Sequence, residues 1–248
     1  MNILVCNDDG IFSEGIYALA NVLKKKYNVT IFAPDGNRSG FSRSISFHKE
    51  IAFKKVDFEG GIDAYVTSGT PADATRFALT NFDKKFDVVI CGINLGSNLG
   101  SDIFYSGTVN ACFEANFLGY PAIAFSNTAF NNYNFNENAI FIENYIEKLI
   151  NIADSSYTLN VNMPNCNYSD IKGVKVCMVG NCRYSDGYIQ TENNKYKLIG
   201  ELIPPTYKDR GTDIYYSFKN YVTISPVSHF VLDKKGYKKL KDVKLKWT

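Results

Sequence analysis

Histidine is almost missing from this chain, with His48 and His229 the only two among 248 residues. That leaves little material for a histidine phosphatase or a two-histidine metal cluster. His48, near a loop-to-strand boundary, and His229, after Ser225-Pro226, read as structural or exposed side chains. The six cysteines, at 6, 91, 112, 166, 177 and 182, contain no C-x-x-C pair and no metal-like spacing to histidine. Cys6 and Cys91 lie in apolar runs and read as small core residues, so a reduced, cytoplasmic setting is expected. Charge of one sign is lacking too: 27 basic against 25 acidic residues leave +2, which gives no case for nucleic-acid binding. The one basic cluster, seven lysines between Lys234 and Lys246, reads as a solvated face or helix end. No apolar stretch approaches the ~20 residues of a membrane span, and the chain opens on a strand rather than on a basic region and an apolar segment. A soluble, unexported protein with no membrane partner is the expectation. The G-K-[ST] ending of a P-loop and the dinucleotide G-x-G-x-x-G spacing are also absent, as are internal repeats and low-complexity linkers.

What is there starts with Ile3-Leu4-Val5-Cys6, a buried-strand run that stops at Asn7-Asp8-Asp9-Gly10. Neighbouring side chains on a strand point to opposite faces, so Asp8 and Asp9 converge only where the backbone curls, and Gly10 permits that curl. In an open α/β sheet the carboxyl end of a strand is where ligands bind. Two hard oxygen ligands there suit Mg²⁺ or Mn²⁺. Taken alone, the stretch also reads as an ordinary solvated strand-to-helix turn.

Ser13 is placed to cap a helix carrying Ile16, Leu19, Ala20 and Leu23, closed by Lys24-Lys25-Lys26. Val29 to Ala33 is a second strand, and strand, helix, strand implies a right-handed parallel crossover, the start of a doubly wound sheet. The loop from Pro34 to Ser42 leaves the same edge as the aspartates. It offers Ser39, Asn37, Arg38 and free backbone N–H groups to a metal or an anion. Ala64 to Thr67 is a strand that enters a helix capped by Thr70 with Pro71 in first position.

Asp87 to Cys91 is the next buried strand and opens into a long loop, Gly92 to Thr108. Gly92, Gly96 and Gly100 let the backbone approach a ligand, while Asn94, Asn98 and Ser106 supply neutral polar groups. The following helix begins at Ser106-Gly107-Thr108, whose N–H groups form an anion site. Pro121 to Phe125 is a strand, Asn131 to Asn138 an exposed loop, Glu137 to Ile150 a helix, and Leu159 to Pro164 extends again. From Gly173 the pattern turns hairpin-like, with Val174 to Val179, Gly187 to Gln190 and Tyr215 to Phe218 as strands of an antiparallel extension. The expected fold is α/β: a doubly wound, mostly parallel sheet over residues 1–165, then a hairpin-rich extension over 166–248.

Asn7-Asp8-Asp9-Gly10, Asn37-Arg38-Ser39-Gly40, Ser68 to Asp73, Gly92-Ile93-Asn94 with Asn98-Leu99-Gly100, and Tyr105-Ser106-Gly107-Thr108-Val109 together resemble the stationary-phase survival protein SurE family. Leu159 to Pro164, Gly211-Thr212-Asp213 and Val222 to Pro226 extend the resemblance over nearly the whole chain. It implies a Rossmann-like core with an oligomerising arm, in a metal-dependent phosphatase of nucleoside 5′- and 3′-monophosphates. It also implies one divalent cation, Mg²⁺ or Mn²⁺, on Asp8, Asp9, Ser39 and Asn94, and a homodimer or homotetramer. Cys91, Leu95 and Ser101 depart from the family's usual residues but leave that metal set intact.

Residues and resemblance then combine into one expected site. Asp8, Asp9, Asn94 and Ser106 carry the chemistry, with Asp8 or Asp9 as base or water-orienting group, and Asn94, Ser106, Gly107 and Thr108 hold the phosphoryl group. The haloacid dehalogenase pattern ranks lower, because it separates its two aspartates by one residue. A non-catalytic nucleotide-binding module of flavodoxin-like topology is the alternative. Against it, clustered carboxylates repel a phosphate unless a cation intervenes.

Overall fold

The structure, a computed structural model, describes residues 1–129, 131–230 and 238. The lysine-rich segment 234–246 lies outside the described residues apart from Lys238. In chain order the elements are β1 (Asn2–Cys6), α1 (Glu14–Leu23), β2 (Asn28–Pro34), β3 (Phe53–Val56), β4 (Asp63–Thr67), α2 (Pro71–Thr80), β5 (Val88–Leu95) and α3 (Gly107–Phe117). They continue with β6 (Ala122–Asn127), α4 (Phe135–Ile152), β7 (Thr158–Met163), β8 (Val174–Val176), β9 (Gly187–Glu192), β10 (Lys195–Ile199), α5 (Asp213–Ser217) and β11 (Val222–Val227).

Nine strands form one sheet in the order β3-β4-β2-β1-β5-β6-β7-β11-β8. Its core from β4 to β7 is parallel, and the only reversals of direction are at the β3/β4 and β7/β11 pairs. Alternation along the strands sends Ile3, Val5, Ile31 and Ile90 to the face covered by α1 and α4. Leu4, Cys6, Val89 and Cys91 go to the face covered by α2 and α3. The chain leaves β1 for β2 on one side and returns to β5 on the other. The crevice above the carboxyl ends of β1 and β5 is therefore the switch point at which open α/β sheets bind ligands.

The doubly wound, mostly parallel sheet is as the sequence led us to expect, and the differences lie at its edges. Phe53–Val56 pairs antiparallel on β4 as an edge strand, hidden in the sequence by the exposed Lys54 and Lys55 that such an edge favours. Tyr215 to Phe218 is not a strand. Thr212 caps α5 by accepting from the Tyr215 N–H at 3.3 Å, and this helix start overrides the strand preference of the two tyrosines. Val174–Val176 does not form a hairpin either, because it runs parallel to β11 and completes the main sheet. Only β9 and β10 form a separate antiparallel hairpin. The helix expected from Glu137 starts earlier, at Phe135, because Asn134 caps it through a bond from the Asn136 N–H at 3.1 Å.

Candidate functional site

The turn after β1 is shaped by Asn7, which is fully buried. Its amide nitrogen donates to the Gly10 carbonyl and to the Ser13 hydroxyl, both at 2.8 Å, while its oxygen accepts from the Gly10 N–H at 3.3 Å. Gly10 sits at φ +107°, and a Cβ there would stand 3.0 Å from the Gly36 Cα. Ser13 stands at the N-cap position of α1 as expected, yet its hydroxyl makes no cap bond and serves Asn7 instead.

This curl turns the two aspartates to different neighbours above one crevice. Asp8 is 2% exposed and lies under the first turn of α3. Its Oδ1 accepts a short hydrogen bond from the Thr108 hydroxyl. Burial pushes the Asp8 carboxyl above its usual range; Thr108 and the backbone N–H groups of Gly107 and Thr108 pull it back part of the way. A Cβ on Gly107 would lie 2.6 Å from the Asp8 Cβ, so glycine is what lets the helix start close over the carboxylate. Ser106 is the N-cap of α3, accepting from the Val109 N–H at 3.0 Å, and is buried.

Asp9 faces the end of β5, where its Oδ2 accepts from the Leu95 N–H at 3.1 Å. Burial, together with the charge of Asp8, raises it to about 7. β5 runs four residues past Cys91, with a register irregularity between Cys91 and Asn94, so Asn94 belongs to the strand end rather than to a loose loop. Asn94 is 7% exposed, and its amide nitrogen donates to the Gly96 carbonyl at 2.8 Å, leaving the amide oxygen as its acceptor.

The loop after β2 is pinned against this pair. Arg38 N–H donates to the Asp8 carbonyl at 2.6 Å, Ile11 N–H to the Pro34 carbonyl at 2.9 Å, and Ser42 N–H to the Tyr105 carbonyl at 3.1 Å. Ser39 follows Arg38 on that loop, with its hydroxyl exposed and its N–H bound to Asn37 Oδ1 at 2.8 Å.

Among the described residues no group of three or more His, Cys, Asp or Glu side chains could hold a metal. The donor set here has a different chemistry: two carboxylates, one amide oxygen and one hydroxyl, all hard oxygens. Such a set suits a cation that keeps several waters, as Mg²⁺ or Mn²⁺ does. The raised carboxyls fit it as well, since adjacent buried aspartates that resist ionisation are relieved by a positive charge.

The family model described as Survival protein SurE matches residues 3–186. The chain belongs to the SurE family. It is 41% identical over 248 residues to 5′-nucleotidase SurE of Clostridium beijerinckii, covering 93% of each chain. It is likewise 41% identical over 239 residues to 5′-nucleotidase SurE of Clostridium botulinum strain Langeland, covering 92% of this chain and 93% of that one. The crystal structure of the SurE protein from Aquifex aeolicus superimposes with a TM-score of 0.85 at 35% identity, over 97% of this chain and 98% of that one.

This SurE chain also holds groups that sequence reasoning passed over. Asn98 was expected to face a ligand, but its amide nitrogen donates to Ser126 Oγ at 2.8 Å. Its own backbone is gripped by Asn160 and Asn162, buried residues of the Leu159–Pro164 motif. Glu114 on α3 is 1% exposed and pairs with Arg43 at 2.8 Å and with Arg76, tying the 38–46 segment to α3. A lone glutamate amid Ala115 and Cys112 was the available signal, because a buried carboxylate needs a partner.

Proposed function

We propose that this chain is a divalent-cation-dependent phosphomonoesterase that converts nucleoside 5′- and 3′-monophosphates to nucleoside and phosphate. The observation that carries the reading is the position of Asp8, a buried carboxylate directly under the N-terminus of α3. A helix start attracts an anion, whereas two aspartates repel one, and a cation on the aspartates reconciles the two with a phosphate monoester. The relatives named 5′-nucleotidase SurE, at about 41% identity over most of the chain, support the same class of substrate.

In this reading Asp8, Asp9, Ser39 and Asn94 hold the cation, which neutralises phosphate oxygens and favours in-line attack by water. Thr108 fixes the Asp8 carboxylate in place by its hydroxyl bond. Ser106, with the N–H end of α3 at Gly107 and Thr108, orients the phosphoryl group, assisted by the Asn94 amide. Asp9 has one oxygen engaged by Leu95 and the other free, and its raised carboxyl suits acceptance of the water proton near neutral pH. Asp8, committed to Thr108 and to the helix, suits the positioning role.

Residues 1–165 supply this core in our reading, and 166–248 supply the arm. Tyr188, Ile189, Tyr196, Leu198 and Ile199 are exposed on β9 and β10, and a two-stranded hairpin is marginal by itself, which supports a homodimer or homotetramer. Six unpaired cysteines support a reducing, cytoplasmic setting. Among the described residues no helix is long and apolar enough to cross a membrane.

The test is phosphate release from 5′-AMP and 3′-AMP by the purified protein with Mn²⁺, with Mg²⁺ and with EDTA. Release from both esters that needs the cation supports the reading. Nucleotide binding without turnover under every metal points instead to a non-catalytic binding module.

A further inference from the structure

The loop that ends at Ser106 also walls a cleft of about 670 Å³, within the size range of small-ligand sites. One wall is Asp102 and Tyr105, the other the base of the β9–β10 hairpin with Tyr184, Asp186, Tyr188 and Leu198. Tyr105 immediately precedes Ser106, so the cleft opens beside the end of α3 that faces Asp8. The Tyr184 hydroxyl donates to Asp102 Oδ2, which fixes one ring against the wall. Tyr188 and Leu198 are cross-strand partners and therefore share one hairpin face. Tyr105 and Tyr188 are 68% and 71% exposed, large aromatic surfaces at the mouth of a cleft. No lysine or arginine lines it, and its two carboxylates disfavour any further phosphate there.

We propose that this cleft is the nucleoside subsite, with the base stacked on Tyr105 and Tyr188 and the Asp186 carboxylate accepting hydrogen bonds from ribose hydroxyls or an exocyclic amino group. The assignment rests on the phosphomonoesterase reading of the adjacent site and adds to it the part of the substrate that the phosphate site cannot select. Every base has a π-face, so stacking grips purines and pyrimidines alike. The acidic lining makes a monophosphate the better substrate than a diphosphate, whose extra charge has no basic partner in the cleft.

The test compares 5′-AMP, 5′-ADP and ribose 5-phosphate as substrates of wild type, Tyr188→Ala and Tyr188→Phe, alongside titration of adenosine alone. In Tyr188→Ala the KM for 5′-AMP should rise about tenfold or more with kcat within about twofold, as loss of one stacking contact predicts. The KM for ribose 5-phosphate should stay put, Tyr188→Phe should retain the wild-type value, and wild type should prefer 5′-AMP to 5′-ADP. An equal change for both monoesters, or none, overturns the subsite and leaves the phosphatase reading standing. If wild type releases phosphate from no ester, it is the phosphatase reading that fails. The adenosine titration then decides alone: saturation that Tyr188→Ala abolishes supports the subsite, and no saturation overturns it.

Discussion

Thr108 and Asp8 are a hundred residues apart in the sequence and share a short hydrogen bond at the centre of the site. The hydroxyl holds one carboxylate oxygen in place and stabilises its ionised form. Thr108→Val keeps the shape and removes that bond. We expect activity and Mn²⁺ affinity to drop about 10- to 100-fold, the usual cost of losing a group that orients a ligand, with Thr108→Ser close to wild type. Steady-state kinetics with a Mn²⁺ titration checks this; unchanged affinity in Thr108→Val contradicts it.

Gly107 presses on the same carboxylate from the other side. A Cβ there lies 2.6 Å from the Asp8 Cβ, so Gly107→Ala must displace Asp8 or the start of α3. Because misplacement by about 1 Å can cost about 100-fold in rate, kcat/KM should fall by at least that much. Circular dichroism should show the fold retained, and a fully active variant would contradict the packing described.

Asp9 gives a pH dependence with a definite sign. Its folded carboxyl titrates near 7, against 3.8 for an unperturbed aspartate, so between those values the folded chain holds a proton that the unfolded chain has released. Stability contributed by this group is therefore present at low pH and is lost as pH rises towards about 7. The stability of metal-free wild type relative to Asp9→Asn should decline across that window and then level off. Mn²⁺ affinity should instead strengthen up to about pH 7, since the cation displaces the proton. Denaturant melts and metal titrations at several pH values check both; a relative stability that climbs with pH contradicts the assignment.

The sheet was legible because its strands are uninterrupted apolar runs that stop at polar turns. Asn7 to Gly10 marked the site because carboxylates directly after a buried strand have few other uses. The edges were harder. Lys54 and Lys55 masked β3, and the strand preference of Tyr215 and Tyr216 outweighed the helix cap at Thr212, because an edge strand or a five-residue helix is decided by its neighbours more than by its own residues. The bonds from Asn160 and Asn162 to Asn98, and from Glu114 to Arg43 and Arg76, cross more than 35 residues each, and no local pattern carries such pairings.

Glu114 supports the site from behind. Glu114→Ala leaves Arg43 and Arg76 without their shared carboxylate and frees the segment that leads to Ser39. The expected loss is about 1–3 kcal/mol of stability, the range for removing one partner from a buried polar pair. Chemical denaturation measures it, and an unchanged midpoint would show that Glu114 carries no such burden.

The most direct test of the account is phosphate release from 5′-AMP by wild type and Asp8→Asn as Mn²⁺ is titrated into metal-free protein. We predict that wild type is inactive in EDTA and recovers saturably with Mn²⁺, while Asp8→Asn stays folded and stays inactive at every Mn²⁺ concentration. Turnover in EDTA equal to that in Mn²⁺, or full activity of Asp8→Asn, would contradict the central claim that paired aspartates under the α3 N-terminus hold the cation that makes this site a phosphatase.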